Sequence, residues 1–424
     1  MIEEMMGLYK RNERLIKDNI TLAIGLLAFG LAGYIFHFYA GRKLGPEEYG
    51  VLGALLSILY LVNILTLFVQ LAITKAVSNF KEKKEEGKIS YLLKQGSKKY
   101  WVYGIASALI IAAMTPLLRY YLGIKVWIPF FAIALMMLFS YILSFNIGVL
   151  QGLQRFKGLA IVYWGQGITK VGMGILLMGI GLGATGGMTA FATSYLIAWI
   201  ISIILITKVS TSGDGKTHDN ILKKSIPLLV VLGSLSLMYS VDVILVKHYL
   251  QTAEAGYYTA LSTLGKVIFF ASNSVSFVMF PKISETKTRK ENRSILYKSI
   301  MLIILITLPI TLGYALFPSL VVNLLFGQSY MAIKGLLFMF GMVMLLYSII
   351  YTICFYNLSL NKTKFIYILL LSNVTQITAL IIFNKNIEQV TYVMLGFMTT
   401  LLLSLLVIKE RKHETPLADN TSIQ

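Results

Sequence analysis

Cysteine is nearly missing from this chain. Its 424 residues hold one, Cys354, which excludes an intrachain disulfide and any metal centre built from several thiolates. Histidine is scarce as well. His37, His218, His248 and His413 are scattered, without the spacing that metal ligation needs. Charge is thin, at 13% of residues, and acids are thinner still: 19 Asp and Glu against 38 Lys and Arg. So little charge cannot clothe a water-soluble protein of this length. What fills the space is apolar, with 57% hydrophobic residues and a mean hydropathy of +0.74. That is the composition of an integral membrane protein. Divided into helix-plus-loop units of ~35 residues, the chain holds about twelve.

Apolar stretches long enough to cross a bilayer fall at 19–40, 49–73, 101–122, 126–150, 159–180 and 184–207. A second set falls at 225–246, 255–280, 299–325, 331–356, 364–383 and 388–408. They are rich in Leu, Ile, Gly and Ala and lack strict alternation, so helices are expected rather than barrel strands. The first is too long for a signal-peptide core and is read as a retained helix.

Lysine and arginine set the orientation. With the N-terminus inside, the inner segments hold 29 of them and the outer segments 6. Three more, Lys170, Lys266 and Lys334, lie within spans. Both termini are therefore expected in the cytoplasm. The net charge of +19 is mostly topogenic and no sign of nucleic acid.

The two sets of spans share weak landmarks. At a shift of 207 residues, Pro46-Glu47-Glu48 falls on Ala253-Glu254-Ala255, Lys75 on Lys282, and Arg155 on Lys362. The expected architecture is an all-α polytopic membrane protein. It has twelve transmembrane helices in two parallel-related six-helix lobes around a central cavity. The expected boundaries are a cytoplasmic segment at 1–18, an N-lobe at 19–208, a cytoplasmic linker at 209–224, a C-lobe at 225–408 and a cytoplasmic tail at 409–424.

Charge at bilayer depth is costly and marks candidate sites. Lys170 lies mid-span with Gln166 one turn away on the same face. Lys266 lies mid-span with Ser262 and Asn273 on its face. Two midplane cations, one from each lobe, suit an anionic group such as a phosphate. A buried ion pair or a snorkelling lysine is the plainer reading. Asp242 is the one carboxylate well inside a span. It suits coupling to H⁺ or Na⁺, pairing with Lys170 or Lys266 when a gate closes, or a static salt bridge. Trp164, beside Tyr163, is a candidate for stacking on a sugar, with lipid contact as its rival. His37 and Arg42, near the outer end of the first helix, suit interfacial anchoring first and substrate contact at the outer mouth second. Pro309, in mid-helix, is expected to kink it. No cofactor is expected.

Three motifs then resemble a known family. Arg42-Lys43-Leu44-Gly45-Pro46-Glu47-Glu48-Tyr49-Gly50 follows the first helix, and Gln151-Gly152-Leu153-Gln154-Arg155-Phe156 follows the fourth. Ala253-Glu254-Ala255-Gly256-Tyr257-Tyr258, with Phe280-Pro281-Lys282, marks the second half. Together they resemble the polysaccharide biosynthesis (Wzx-type) flippases of the multidrug/oligosaccharidyl-lipid/polysaccharide exporter superfamily. Ser240-Val241-Asp242 also resembles an aspartate-bearing stretch of that family's seventh helix. The resemblance implies a flippase, not an enzyme, that moves polyprenyl-(pyro)phosphate-linked oligosaccharide from the inner to the outer leaflet by alternating access. It implies membrane lipids, glycosyltransferases and a polysaccharide polymerase as partners. A drug or organic-cation antiporter is the rival of the same class. A membrane-bound polysaccharide polymerase or ligase is the rival of another, although the short outer segments leave little room for catalytic groups.

Overall fold

The computed structural model describes residues 2–207, 226–285, 288–360 and 362–407, and side chains from residue 24 onward with a few exceptions. The expected linker at 209–224 and tail at 409–424 lie outside the described residues. The helices are α1 (Ile2–Glu82), α2 (Glu86–Leu122), α3 (Ile128–Gly152), α4 (Phe156–Gly179) and α5 (Gly183–Thr207). After the undescribed segment come α6 (Ile226–Met238), α7 (Val241–Tyr249), α8 (Thr252–Glu285), α9 (Arg289–Leu316) and α10 (Pro318–Leu325). A 3₁₀ helix (Gln328–Leu336), α11 (Leu337–Ser359), α12 (Lys364–Ile382) and α13 (Ile387–Val407) complete the chain. No strand occurs among the described residues.

Ten of these stretches are long and apolar enough to cross a bilayer. The first, Ile24–Glu82, is 59 residues long, roughly 88 Å at 1.5 Å per residue, far beyond a ~30 Å core. It bends at Gly45, whose φ of 71° and ψ of 177° are not helical, and so supplies two crossings. Glycine adopts that positive φ without a Cβ clash, and Pro46 cannot donate a helical hydrogen bond across the bend. The turn expected between 40 and 49 thus shrinks to one residue. α4 is not among the ten, because Lys170, Gln166 and its glycines interrupt its apolar character. Its 24 residues still suffice to span, which brings the crossings to twelve.

Two expected helices are broken. The span at 225–246 divides at Tyr239-Ser240 into α6 and α7. The span at 299–325 divides at Phe317 into α9 and α10, with Pro318 opening the second piece. Pro309, where a kink is expected, lies inside α9.

α1 to α5 pack chiefly on one another, and α6 to α13 do the same. The main contact between the sets is α1 against α8. It is tight at one end only. Along the second leg of α1, Leu52 to Leu59 are all buried, whereas Tyr60 to Leu65 regain exposure. On α8, Tyr258 to Gly265 are buried, whereas Phe270, Ala271 and Ser274 are exposed. The sets are therefore sealed at the Gly45 end and part toward the Glu82 end. There, a crevice of about 280 Å³ separates Leu65, Phe68 and Tyr103 from Leu229 of α6.

Two features make the seal. Gly50 and Gly256 bring α1 and α8 into backbone contact; a Cβ on Gly256 would lie 1.7 Å from the Pro46 carbonyl oxygen. Beside them, Tyr49, Phe326 and Tyr330 pack as a fully buried aromatic cluster, with Tyr49 and Phe326 centroids 5.4 Å apart. The Tyr330 hydroxyl donates to the Gly41 carbonyl at 3.0 Å.

Candidate functional site

Lys170 lies on the buried face of α4, in line with Gln166 and Gly174, and is only 6% exposed. Its Nζ sits 4.6 Å from the Phe29 ring centroid and 5.4 Å from that of Phe191. Gly33 leaves it room: a Cβ there would be 3.5 Å from Nζ. Ring faces attract a cation but do not neutralise it. Lys266, on α8, is half-buried, with Nζ 5.3 Å from the Tyr239 centroid at the break between α6 and α7. Among the described residues neither lysine has a carboxylate within 4.0 Å.

His37, on the first leg of α1, is close enough for both lysine charges to act on it. The first leg of α1 continues past it to Gly45, so His37 stands about 12 Å inside the bend. The roles expected from its place in the sequence, interfacial anchoring or contact at the outer mouth, rest on that place alone; in the fold its ring lies among hydroxyls of the same helix. Its Nδ1 is 3.0 Å from the Tyr49 hydroxyl and its Nε2 is 3.3 Å from the Tyr60 hydroxyl. The Tyr49 hydroxyl is also 3.1 Å from Thr263 Oγ1 on α8.

Donor counting gives this chain a direction. Thr263 already donates to the Thr259 carbonyl at 2.8 Å, so its oxygen accepts from Tyr49. Tyr49 then accepts from His37 Nδ1–H, and His37 Nε2 accepts from Tyr60. One neutral histidine satisfies every partner. Tyr49–Thr263 is the link in this chain that crosses between the two helix sets.

Asp242 opens the first turn of α7, where the exposed amides of a helix start favour a carboxylate. It is fully buried. Tyr258 donates to its Oδ2 at 2.8 Å, and Lys266 lies within range of its charge. Its Oδ1 has no partner. Neither has the buried Ser240 Oγ, two residues earlier, nor Gln376 Oε1 on α12. The other end of that amide, Nε2, donates to the Met238 carbonyl at 2.8 Å, which brings α12 to the helix break. Three unpartnered oxygens around a broken helix suit a proton or a small cation. No cluster of three His, Cys, Asp or Glu occurs among the described residues, so Asp242 would be the sole charged ligand.

The remaining candidates separate. Asn273 and Ser262 share the Lys266 face, and each has a buried oxygen without a partner. Trp164 is 47% exposed and belongs with Ile161 and Ile168 on the outer face of α4, so it is not brought to Lys170. Arg42 donates to the carbonyls of Asn323 and Leu324 in the last turn of α10, where a cation complements the helix end. It ties the two sets together at the sealed end. Nearby, the His248 ring stacks on that of Tyr121 at 3.9 Å and 4°, with Nδ1 donating to the Tyr121 carbonyl. Tyr49, Tyr60, Thr263 and Gln376 were not singled out by sequence. Gln376, an amide one turn from Asn373 in an otherwise apolar span, has the most readable signal.

Comparison with known proteins bears on the family and the fold. The sequence profile of a family described as "Polysaccharide biosynthesis protein" matches residues 41–334. A membrane protein of Methanocaldococcus jannaschii described as uncharacterized is 26% identical over 299 residues, covering 64% of this chain and 68% of that protein. An inward-facing multidrug resistance MATE family transporter of the MOP superfamily superposes with a TM-score of 0.73 at 13% identity, covering 92% of this chain and 96% of that one. The lipid II flippase MurJ, in an inward closed conformation, gives 0.67 at 16% identity over 91% and 87%. At such identities the likeness to the two solved structures is one of fold. The profile match spans more than half of the chain, and the protein therefore belongs to the polysaccharide biosynthesis protein family, with the fold of the MOP-superfamily transporters.

Proposed function

We propose that this protein is a flippase that carries a polyprenyl-(pyro)phosphate-linked oligosaccharide from the inner to the outer leaflet by alternating access. The observation that carries the reading is the pair Lys170 and Lys266. Each comes from a different helix set, neither has a carboxylate within 4.0 Å among the described residues, and both charges act on His37. An unpaired ammonium at bilayer depth is expensive. A phosphate 4 Å away would recover about 4 kcal/mol per lysine at an effective dielectric of 20. The unpartnered oxygens of Asn273 and Ser262 would accept bonds from sugar hydroxyls, and the polyprenyl chain would stay in lipid.

With both termini inside, as lysine and arginine placement suggests, the Gly45 end is the outer one and the state described opens inward. Substrate would enter from the Glu82 end and draw the two lysines together. The seal of Gly50, Gly256 and the Tyr49–Thr263 bond would then part. Asp242 would take up H⁺ or Na⁺ and reset the cycle. Glycosyltransferases and a polymerase would supply and consume the substrate. An organic-cation antiporter would need acids where these lysines stand.

The test is complementation of a host lacking its own oligosaccharide flippase. Wild type is expected to restore surface polysaccharide, and Lys170→Ala and Lys266→Ala to fail while inserting normally. Full complementation by both variants would remove the lysines from substrate binding. Cationic-drug efflux without complementation would favour the antiporter.

A further inference from the structure

A second basic feature lies far from Lys170 and Lys266, at the start of α9. Lys290, Arg293, Ser294, Tyr297, Lys298 and Met301 together form one open surface patch. Their spacing of three, four, seven, eight and eleven residues puts them on a single helix face. Tyr297 is 62% exposed and Met301 71%. Beyond Met301 the same face continues as an exposed apolar ladder of Leu305, Leu308, Leu312 and Leu316. The helix thus presents cations and two hydroxyls over about 12 Å and then hydrocarbon over about 22 Å. That order, polar then apolar, is the order of a headgroup layer and the acyl region of a bilayer.

Topogenic charge alone does not require this arrangement. In the other basic segment, at the α1–α2 junction, the lysines are dispersed and several are already engaged. Lys81 donates to the Leu153 carbonyl at 3.0 Å and to Gln154 Oε1 at 2.9 Å. Lys88 pairs with Glu85 at 2.9 Å, and Lys99 stands over the Tyr103 ring. On α9, by contrast, Lys290, Arg293 and Lys298 have no ion-pair or hydrogen-bond partner among the described residues. The nearest acid in sequence, Glu291, lies at the edge of this face and accepts from the Thr288 hydroxyl at 3.3 Å.

We infer that this face of α9 is a docking site for one anionic phospholipid of the surrounding bilayer. Lys290, Arg293 and Lys298 supply charge to the headgroup phosphate, Ser294 and Tyr297 donate hydrogen bonds, and the acyl chain lies along the leucine ladder. Tyrosine at an interface and basic side chains beside anionic headgroups are physically consistent there. The inference is independent of what the protein transports.

The test is native mass spectrometry of the full chain, exchanged from detergent into a mixture of phosphatidylglycerol and phosphatidylcholine. Wild type is expected to retain phosphatidylglycerol selectively. Lys290→Gln, Arg293→Gln and Lys298→Gln combined should lose it, by roughly fivefold in affinity per cation removed. Lys83→Gln, Lys94→Gln and Lys98→Gln combined removes the same charge elsewhere and should retain it. Equal retention by both triple variants would overturn the site. Displacement by millimolar inorganic phosphate would overturn the assignment to a membrane lipid. Should the α9 triple variant not fold, Arg293→Gln alone is expected to show the fivefold loss, and wild-type retention by it would refute the proposal.

Discussion

Thr263→Val isolates the hydrogen bond that joins the two helix sets. The substitution is nearly isosteric and removes one hydroxyl. Thr263 accepts from the Tyr49 hydroxyl at 3.1 Å, and Tyr49 is fully buried in the seal. Without that acceptor the phenol is stranded only while the seal is closed. Once the sets part at this end, water can solvate it. An orphaned buried donor costs about 1–3 kcal/mol, so the sealed state should lose about that much relative to the open one. The equilibrium then moves by roughly 5- to 150-fold toward opening at the Gly45 end. The His37–Tyr49 bond is internal to α1 and survives. Spin labels on Cys substituted at Lys43 and Lys334, in a Cys354→Ala background, would report it by pulsed electron resonance. Wild type should give one short distance and Thr263→Val a second, longer population. An unchanged distribution accompanied only by a lower Tm would refute the latch and leave Thr263 as a packing residue.

Other outcomes follow from the same geometry. Gly256→Ala places a methyl 1.7 Å from the Pro46 carbonyl; backbone cannot yield there, so the same labels should show the short distance lost and transport abolished. Asp242→Asn keeps an acceptor for Tyr258 but removes the charge. Transport driven by an ion gradient should fall at least tenfold while downhill exchange persists, and intact gradient-driven transport would free Asp242 from coupling. His248→Ala removes a ring stack and a hydrogen bond to Tyr121, together worth about 1–2 kcal/mol. A smaller population shift than that of Thr263→Val is expected, read in the same way.

The crossings were readable because length and hydropathy are nearly sufficient in a bilayer, where every backbone group must be satisfied within a helix. The breaks were harder. Gly45-Pro46 carries a turn signal, but Tyr239-Ser240 carries none, and that interruption depends on tertiary partners such as Gln376. Lys170, Lys266 and Asp242 stood out because charge in an apolar span is costly. Trp164 did not join them, since an aromatic residue in such a span suits lipid as well as sugar. His37 and Arg42 were placed together at an outer end by sequence proximity. Five residues of helix turn them to different partners, one to the hydroxyls of Tyr49 and Tyr60 and one to the end of α10. The hydroxyl chain through Tyr49, Tyr60 and Thr263 was invisible, because the chain has 25 tyrosines and only the fold says which of them meet.

The central claim is that Lys170 and Lys266 hold the anionic headgroup during transport. Its most direct test uses proteoliposomes loaded with a fluorescent polyprenyl-pyrophosphate oligosaccharide, whose arrival in the opposite leaflet is followed by quenching from outside. Wild type is predicted to move it, and Lys170→Ala with Lys266→Ala to slow it at least a hundredfold without loss of folded protein. Movement by the double variant at the wild-type rate would contradict the account.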